Sequence, residues 1–198
     1  MAVSKFHPAE AIQEAYAAGQ RVFGENRPQE LQQKAQALPA DIEWHFLGHL
    51  QTNKLKMVLP YASLVESVDT LHLLEEINRW GKEHDKVIPV LLELHIGAEK
   101  TKQGFAEEEV LDLLFRAENF RFIRFCGLMG MASHTDDAAT VDADFARIAD
   151  FFAYLRDLFP ELPDFCELSI GMSGDWRLAL PHGATIVRIG TAIFGERN

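Results

Sequence analysis

A lysine, an arginine and two glycine–hydroxyl pairs are the residues of this 198-residue chain best suited to chemistry. Lys5 directly follows Ala2-Val3-Ser4, a short β-prone run. On an interior strand, desolvation would lower the pKa of its amine and fit it for Schiff-base formation with a carbonyl. A surface lysine is the alternative. Near the other end, Ile170-Gly171-Met172-Ser173-Gly174-Asp175-Trp176 and Val187-Arg188-Ile189-Gly190-Thr191-Ala192 each set a hydroxyl beside bare backbone. Such a pair near a helix N-terminus can hold a phosphate, although single Gly/Ser clusters are more often turns or caps. Arg188 can only donate, so facing an aromatic ring nitrogen it would keep that nitrogen unprotonated. An ion pair with a carboxylate is the other reading. His45-Phe46-Leu47-Gly48-His49 shares only its histidine spacing with a zinc-binding H-E-x-x-H helix. It lacks the glutamate, and a strand would not put both rings on one helical face. No metal site is expected, and His45 is expected to hydrogen-bond inside the fold.

These residues need a frame that brings both ends of the chain together. Eight β-rich runs recur: Ala2–Ser4, Arg21–Phe23, Trp44–Leu47, Leu64–Glu66, Val87–Leu94, Ile123–Cys126, Glu167–Ile170 and Thr185–Arg188. Between them, Leu71-Leu74-Ile77-Asn78, Val110-Leu111-Leu114-Phe115 and Phe145-Ile148-Phe152-Leu155 have the spacing of amphipathic helices. Eight alternating β/α units close most economically into one parallel (β/α)8 TIM-type barrel spanning residues 1–198 as a single domain. An open doubly wound sheet is the rival, but no G-x-G-x-x-G follows the first strand. In a barrel the C-terminal strand ends form the working face, and phosphate sites commonly follow strands seven and eight. Strand eight neighbours strand one, so a ligand held there by its phosphate could present an aldehyde to Lys5. Gly24-Glu25-Asn26 and Gly48 through Lys54 are expected just after strands two and three.

The hydrophobic share of 47% and the charged share of 25% are those of an ordinary globular chain. A formal charge of -11 with no Lys/Arg stripe argues against nucleic acid. No apolar run approaches the roughly 20 residues that span a bilayer, and the first residues lack the features of a secretory signal. A cytoplasmic location is expected, with Cys126 and Cys166 as buried free thiols.

Taken in order, several stretches resemble the YggS/PROSC family of pyridoxal phosphate homeostasis proteins. They are A-V-S-K at 2–5, G-E-N at 24–26, W-H-F-L-G-H-L-Q-T-N-K at 44–54, S-V-D at 67–69, E-K-T-K-Q-G-F at 99–105, G-L-M at 127–129, L-S-I-G-M-S-G-D at 168–175 and V-R-I-G-T-A-I-F-G at 187–195. The resemblance implies a barrel like the alanine racemase N-terminal domain, with pyridoxal 5′-phosphate bound as a Schiff base on Lys5. It also implies phosphate contacts at Ser173, Gly190 and Thr191, with Met172 in the same motif, and a pyridine-nitrogen partner at Arg188. Asn26 and His49 match positions near the cofactor. Lys102 matches a lysine at the pocket mouth that handles cofactor in transit, a solvated loop lysine being the alternative. Against that family's usual pattern, the first strand at Met1 is read as an absence of the N-terminal helical segment, and His95 and Gly130 stand where asparagine and alanine are usual.

The function implied is intracellular vitamin B6 homeostasis by a monomer without catalytic turnover, with transient pyridoxal-phosphate-dependent client enzymes as possible partners. The alternative is a racemase-like enzyme. Racemases of this barrel type take a tyrosine base from a partner subunit and use a second domain, whereas Tyr16, Tyr61 and Tyr154 all fall in helices or loops away from the expected site.

Overall fold

The computed structural model describes residues 1–96 and 103–195. Eight strands form one sheet in sequential order: β1 Ala2–Val3, β2 Val22–Glu25, β3 Glu43–Phe46, β4 Ala62–Val68, β5 Ile88–Leu94, β6 Ile123–Gly130, β7 Glu167–Met172 and β8 Ile186–Arg188. Each pairs with the next in parallel. The ring closes between its ends, where Val3 N–H donates to Ile189 O at 2.7 Å and Ile189 N–H to Met1 O at 3.1 Å. This is the expected (β/α)8 barrel, with all eight anticipated strands present.

The helices are α1 Ala9–Ala17, α2 Pro28–Ala37, α3 Leu55–Val58, α4 Leu71–Glu83, α5 Glu107–Leu114, α6 Ala138–Leu158, α7 Trp176–Ala179 and α8 Thr191–Phe194. Residue spacing explains which faces they bury. In α6, Phe145, Ile148, Phe152 and Leu155 all face the core, and the Asp137 carboxylate caps the first turn by accepting from the N–H groups of Ala139 and Thr140. In α4, Leu73, Leu74 and Ile77 are buried while Leu71 is exposed, a shift of the expected stripe. Phe115, expected on the apolar face of α5, lies beyond its last residue and is 66% exposed. No helix among the described residues is long and apolar enough to cross a membrane.

Two expectations need correction. Gly24 and Glu25 lie inside β2, because Gly24 pairs with Val3 on one side and His45 on the other. Cys126 is buried as expected, but Cys166 is exposed. The neighbouring Phe165 fills the apolar position at the entry to β7.

Candidate functional site

The C-terminal ends of β1, β2, β3, β7 and β8 place the expected ligands around one mouth. Lys5 stands two residues past β1, half-buried, in a turn closed by His7 N–H donating to Ser4 O at 3.1 Å. It is thus off the strand, and its desolvation is only partial. Ser4 N–H still donates to Gly24 O, which ties the start of this turn to β2. Asn26 follows β2 directly, and its Oδ1 is buried with no hydrogen-bond partner. The peptide after Asn26 lies hard against Gly48, where a Cβ would come within 2.1 Å of Asn26 O. Only glycine admits that approach.

At the other side of the seam, Ser173 follows β7 and accepts a hydrogen bond from Gly190 N–H at 3.0 Å. Gly190 itself abuts Val3. Closure of β8 on β1 therefore sets the Ser173–Gly190 pair beside the strand that leads to Lys5. Thr191 is exposed at the start of α8, and Met172 is the exposed last residue of β7, in register with Arg188. The helices after Ser173 and Gly190 are only four residues long, so these loops offer donors rather than a strong helix dipole.

Arg188 is buried and points across the barrel. Its Nη1 donates to Ser169 O at 2.7 Å and Ser169 Oγ at 2.8 Å, and its Nη2 to Gly130 O at 2.8 Å. Ser169 Oγ–H in turn donates to Glu66 Oε2 at 2.5 Å, and Glu66 Oε1 pairs with His45 Nδ1 at 2.6 Å. The arginine thus reaches its carboxylate through a serine rather than in a direct ion pair. Three of its five N–H donors are used among the described residues, and two remain to meet an acceptor. Burial pulls its pKa below the ordinary value, opposed by the charges of Glu66, Glu93 and Asp175.

His49 is largely exposed and pairs through Nδ1 with Asp69 Oδ2 at 3.0 Å. The two histidines of the H-x-x-x-H stretch therefore serve different carboxylates. Next to Asp69, the buried Glu93 at the end of β5 has its pKa pushed up to about 7 by desolvation first and the Asp69 charge second, with Arg188 and His49 pulling the other way. A cavity of about 590 Å³ opens on this side of the mouth, lined by Glu93, His95, Met131, Met172 and Gly174 among others. Lys5, Asn26 and Arg188 stand outside that lining. Lys102 lies outside the described residues.

Glu66, Asp69, Glu93 and Ser169 were not singled out from the sequence. The available signal was a carboxylate or hydroxyl inside an otherwise apolar strand run, as in Val90-Leu91-Leu92-Glu93-Leu94. A carboxyl buried there must either find partners, as Glu66 does, or resist ionisation, as Glu93 does.

Comparison with known proteins agrees with this architecture. The alanine racemase N-terminal domain family model matches residues 1–198. A pyridoxal phosphate homeostasis protein of Pasteurella multocida is 37% identical, over all of this chain and 86% of its own length. One from Aquifex aeolicus is 38% identical over the same shares. The structure of PipY from Synechococcus elongatus with PLP bound superposes with a TM-score of 0.88 at 39% identity, covering 98% of this chain and 91% of PipY. Alanine racemase from Bartonella henselae, at 18% identity and a TM-score of 0.75 over 99% of this chain and 54% of its own, shares the fold. This chain belongs to the pyridoxal phosphate homeostasis protein family, built on the alanine racemase N-terminal domain.

Proposed function

We propose that this protein holds pyridoxal 5′-phosphate as a Schiff base on Lys5 and serves vitamin B6 homeostasis in the cytoplasm, carrying the cofactor rather than turning over a substrate. The observation that supports the reading is that the C-terminal strand ends on one face of the barrel carry an amine, an orphaned acceptor and a guanidinium with donors to spare. Lys5 offers the amine, and the partnerless Asn26 Oδ1 suits a donor hydroxyl on the cofactor. The two remaining Arg188 donors suit a ring nitrogen; the Ser173 and Thr191 hydroxyls suit the phosphate, with the Gly190 N–H, which Ser173 Oγ accepts at 3.0 Å, turning to it on binding. His49 and Met172 border the group. The bound cofactor supplies an electrophilic aldehyde and an aromatic ring able to delocalise charge.

The protein's own residues limit the chemistry open to it. Arginine at the pyridine nitrogen keeps it unprotonated and weakens the ring as an electron sink. Two-sided proton transfer needs an acid or base within reach on each face. Tyr16, in α1, donates to Asp41 at the surface, Tyr61 accepts from Gln36 before β4, and Tyr154 is on the exposed side of α6, so no tyrosine of this chain stands at the mouth. On this reading the protein works as a monomer and passes cofactor to pyridoxal-phosphate-dependent enzymes, with Lys102 assisting transit.

The test is incubation of the cofactor-loaded protein with D- and L-amino acids in deuterated water. Bound cofactor should exchange with free pyridoxal phosphate while the amino-acid α-proton is retained. Multiple-turnover exchange of that proton, lost in Lys5→Ala, would place the protein among the racemase-like enzymes instead.

A further inference from the structure

The turn that carries Lys5 is unusual for its sequence. Phe6, its third residue, has φ +68°, a left-handed conformation that tight turns normally assign to glycine or asparagine. A bulky residue stays there only when its surroundings hold it. Those surroundings come from one face of α2 and its cap, at spacings of three and four residues. The Arg27 guanidinium sits 4.2 Å over the Phe6 ring, Glu30 Oε2 accepts Phe6 N–H at 2.9 Å, and Lys34 Nζ donates to Ser4 O at 3.0 Å. Lys34 is buried although it is a lysine on an otherwise polar helix. Its ammonium also binds Glu25 Oε1 at 2.7 Å and Glu30 Oε2 at 3.2 Å, so a single cation ties β1, β2 and α2 together. Partial burial would raise the pKa of Glu30, but the Phe6 N–H and Lys34 outweigh it and hold the carboxyl below its ordinary value.

The geometry points to Arg27, Glu30 and Lys34 as positioning residues that clamp the Ser4–His7 turn in its strained form and so aim the Lys5 amine into the barrel mouth. The inference deepens the reading of Lys5 as the Schiff-base lysine and rests on it. None of the three touches the cofactor on this account. They act through the backbone of Ser4 and Phe6.

The experiment uses the full chain with Glu30→Ala, Glu30→Gln and Phe6→Gly, alone and combined. Three quantities are read: hydrogen exchange of the Phe6 amide without cofactor, the rate at which added pyridoxal phosphate forms the yellow band, and the lysine that carries the borohydride-reduced adduct. Loss of a hydrogen bond to a charged acceptor predicts that Glu30→Ala slows band formation on the order of tenfold and speeds Phe6 exchange by a similar factor. Glu30→Gln keeps an acceptor oxygen and should recover most of the rate. In the Phe6→Gly background the effect of Glu30→Ala should shrink to about twofold or less, because glycine holds a positive φ unaided. Should Glu30→Ala not fold, Arg27→Ala, whose side chain is mostly solvent-exposed, is expected to move both rates the same way by a smaller factor.

Unchanged exchange and band formation would overturn the clamp. So would an equal slowing in the Phe6→Gly background, since Glu30 would then act by a route other than the turn. An adduct on Lys5 with no response to these variants defeats the clamp alone. An adduct on another lysine defeats the Lys5 reading and the clamp with it.

Discussion

Glu93→Gln removes a buried carboxylate whose charge the barrel disfavours, and burial beside Asp69 sets the sign of the effect. Glu93 is 4% exposed, close to the like charge of Asp69, and no hydrogen bond to its side chain is found among the described residues. Its pKa is therefore displaced from an ordinary 4.5 to about 7. Between those two pH values the folded protein keeps a proton that the unfolded chain releases. Stability is then fully present below about pH 4.5 and falls as pH rises through the folded pKa, by about 1.4 kcal/mol per pH unit within that interval. The accumulated loss is under about 1 kcal/mol at pH 5 and about 3 kcal/mol at pH 8. Glutamine mimics the protonated form and does not titrate. Thermal melts of the cofactor-free protein followed by circular dichroism at both pH values should show the variant raised by roughly 6–12 °C at pH 8, and by much less at pH 5. Any packing penalty of the amide is common to both melts and cancels from the difference. Equal shifts at pH 5 and pH 8 would show that Glu93 is not protonated in the folded state, as would a variant less stable than the wild type only at the higher pH.

Two further substitutions probe the mouth of the barrel. Gly48→Ala drives a methyl group into the Asn26 peptide, a contact with backbone that cannot rotate away. About 1–3 kcal/mol of stability should be lost in urea titrations, with weaker cofactor retention as Asn26 is displaced, and a variant neutral in both respects would contradict the packing described. On the proposed phosphate role of Thr191, Thr191→Val removes one neutral donor to a charged group, worth roughly 1.5–3 kcal/mol or about ten- to a hundredfold in affinity. Pyridoxal phosphate binding should weaken and pyridoxal binding should not. Equal weakening of the two would show that the phosphate is not its partner.

The barrel was legible because each β-prone run is short, apolar and followed by a stretch of helical period, and because eight such units have one economical closed arrangement. The strand ends were less so. Gly24 and Glu25 were expected just after strand two, yet Gly24 pairs with strands on both sides and Glu25 with Phe46, which makes them part of β2. The placement of Lys5, Ser173, Arg188 and Gly190 on one face could be read because they follow or end strands that the closure brings together. The polar interior was harder to see. Glu66 and Ser169 meet from positions 103 residues apart, a contact that no local pattern encodes. Lys34 sits in the run Gln29-Glu30-Leu31-Gln32-Gln33-Lys34, which reads as a solvated face. Only the packing of α2 over Glu25 buries it. The exposure of Cys166 was missed for the converse reason, since a short apolar neighbourhood does not say which of its members turns inward.

Cofactor attachment is read most plainly from the site of the covalent adduct. The protein is mixed with pyridoxal 5′-phosphate, reduced with borohydride, digested and mapped by mass spectrometry. One phosphopyridoxyl group is expected on Lys5, with the yellow band and the adduct both absent from Lys5→Ala. A stoichiometric adduct on Lys54 or Lys102, or one that survives Lys5→Ala, would overturn the assignment of Lys5 as the cofactor lysine.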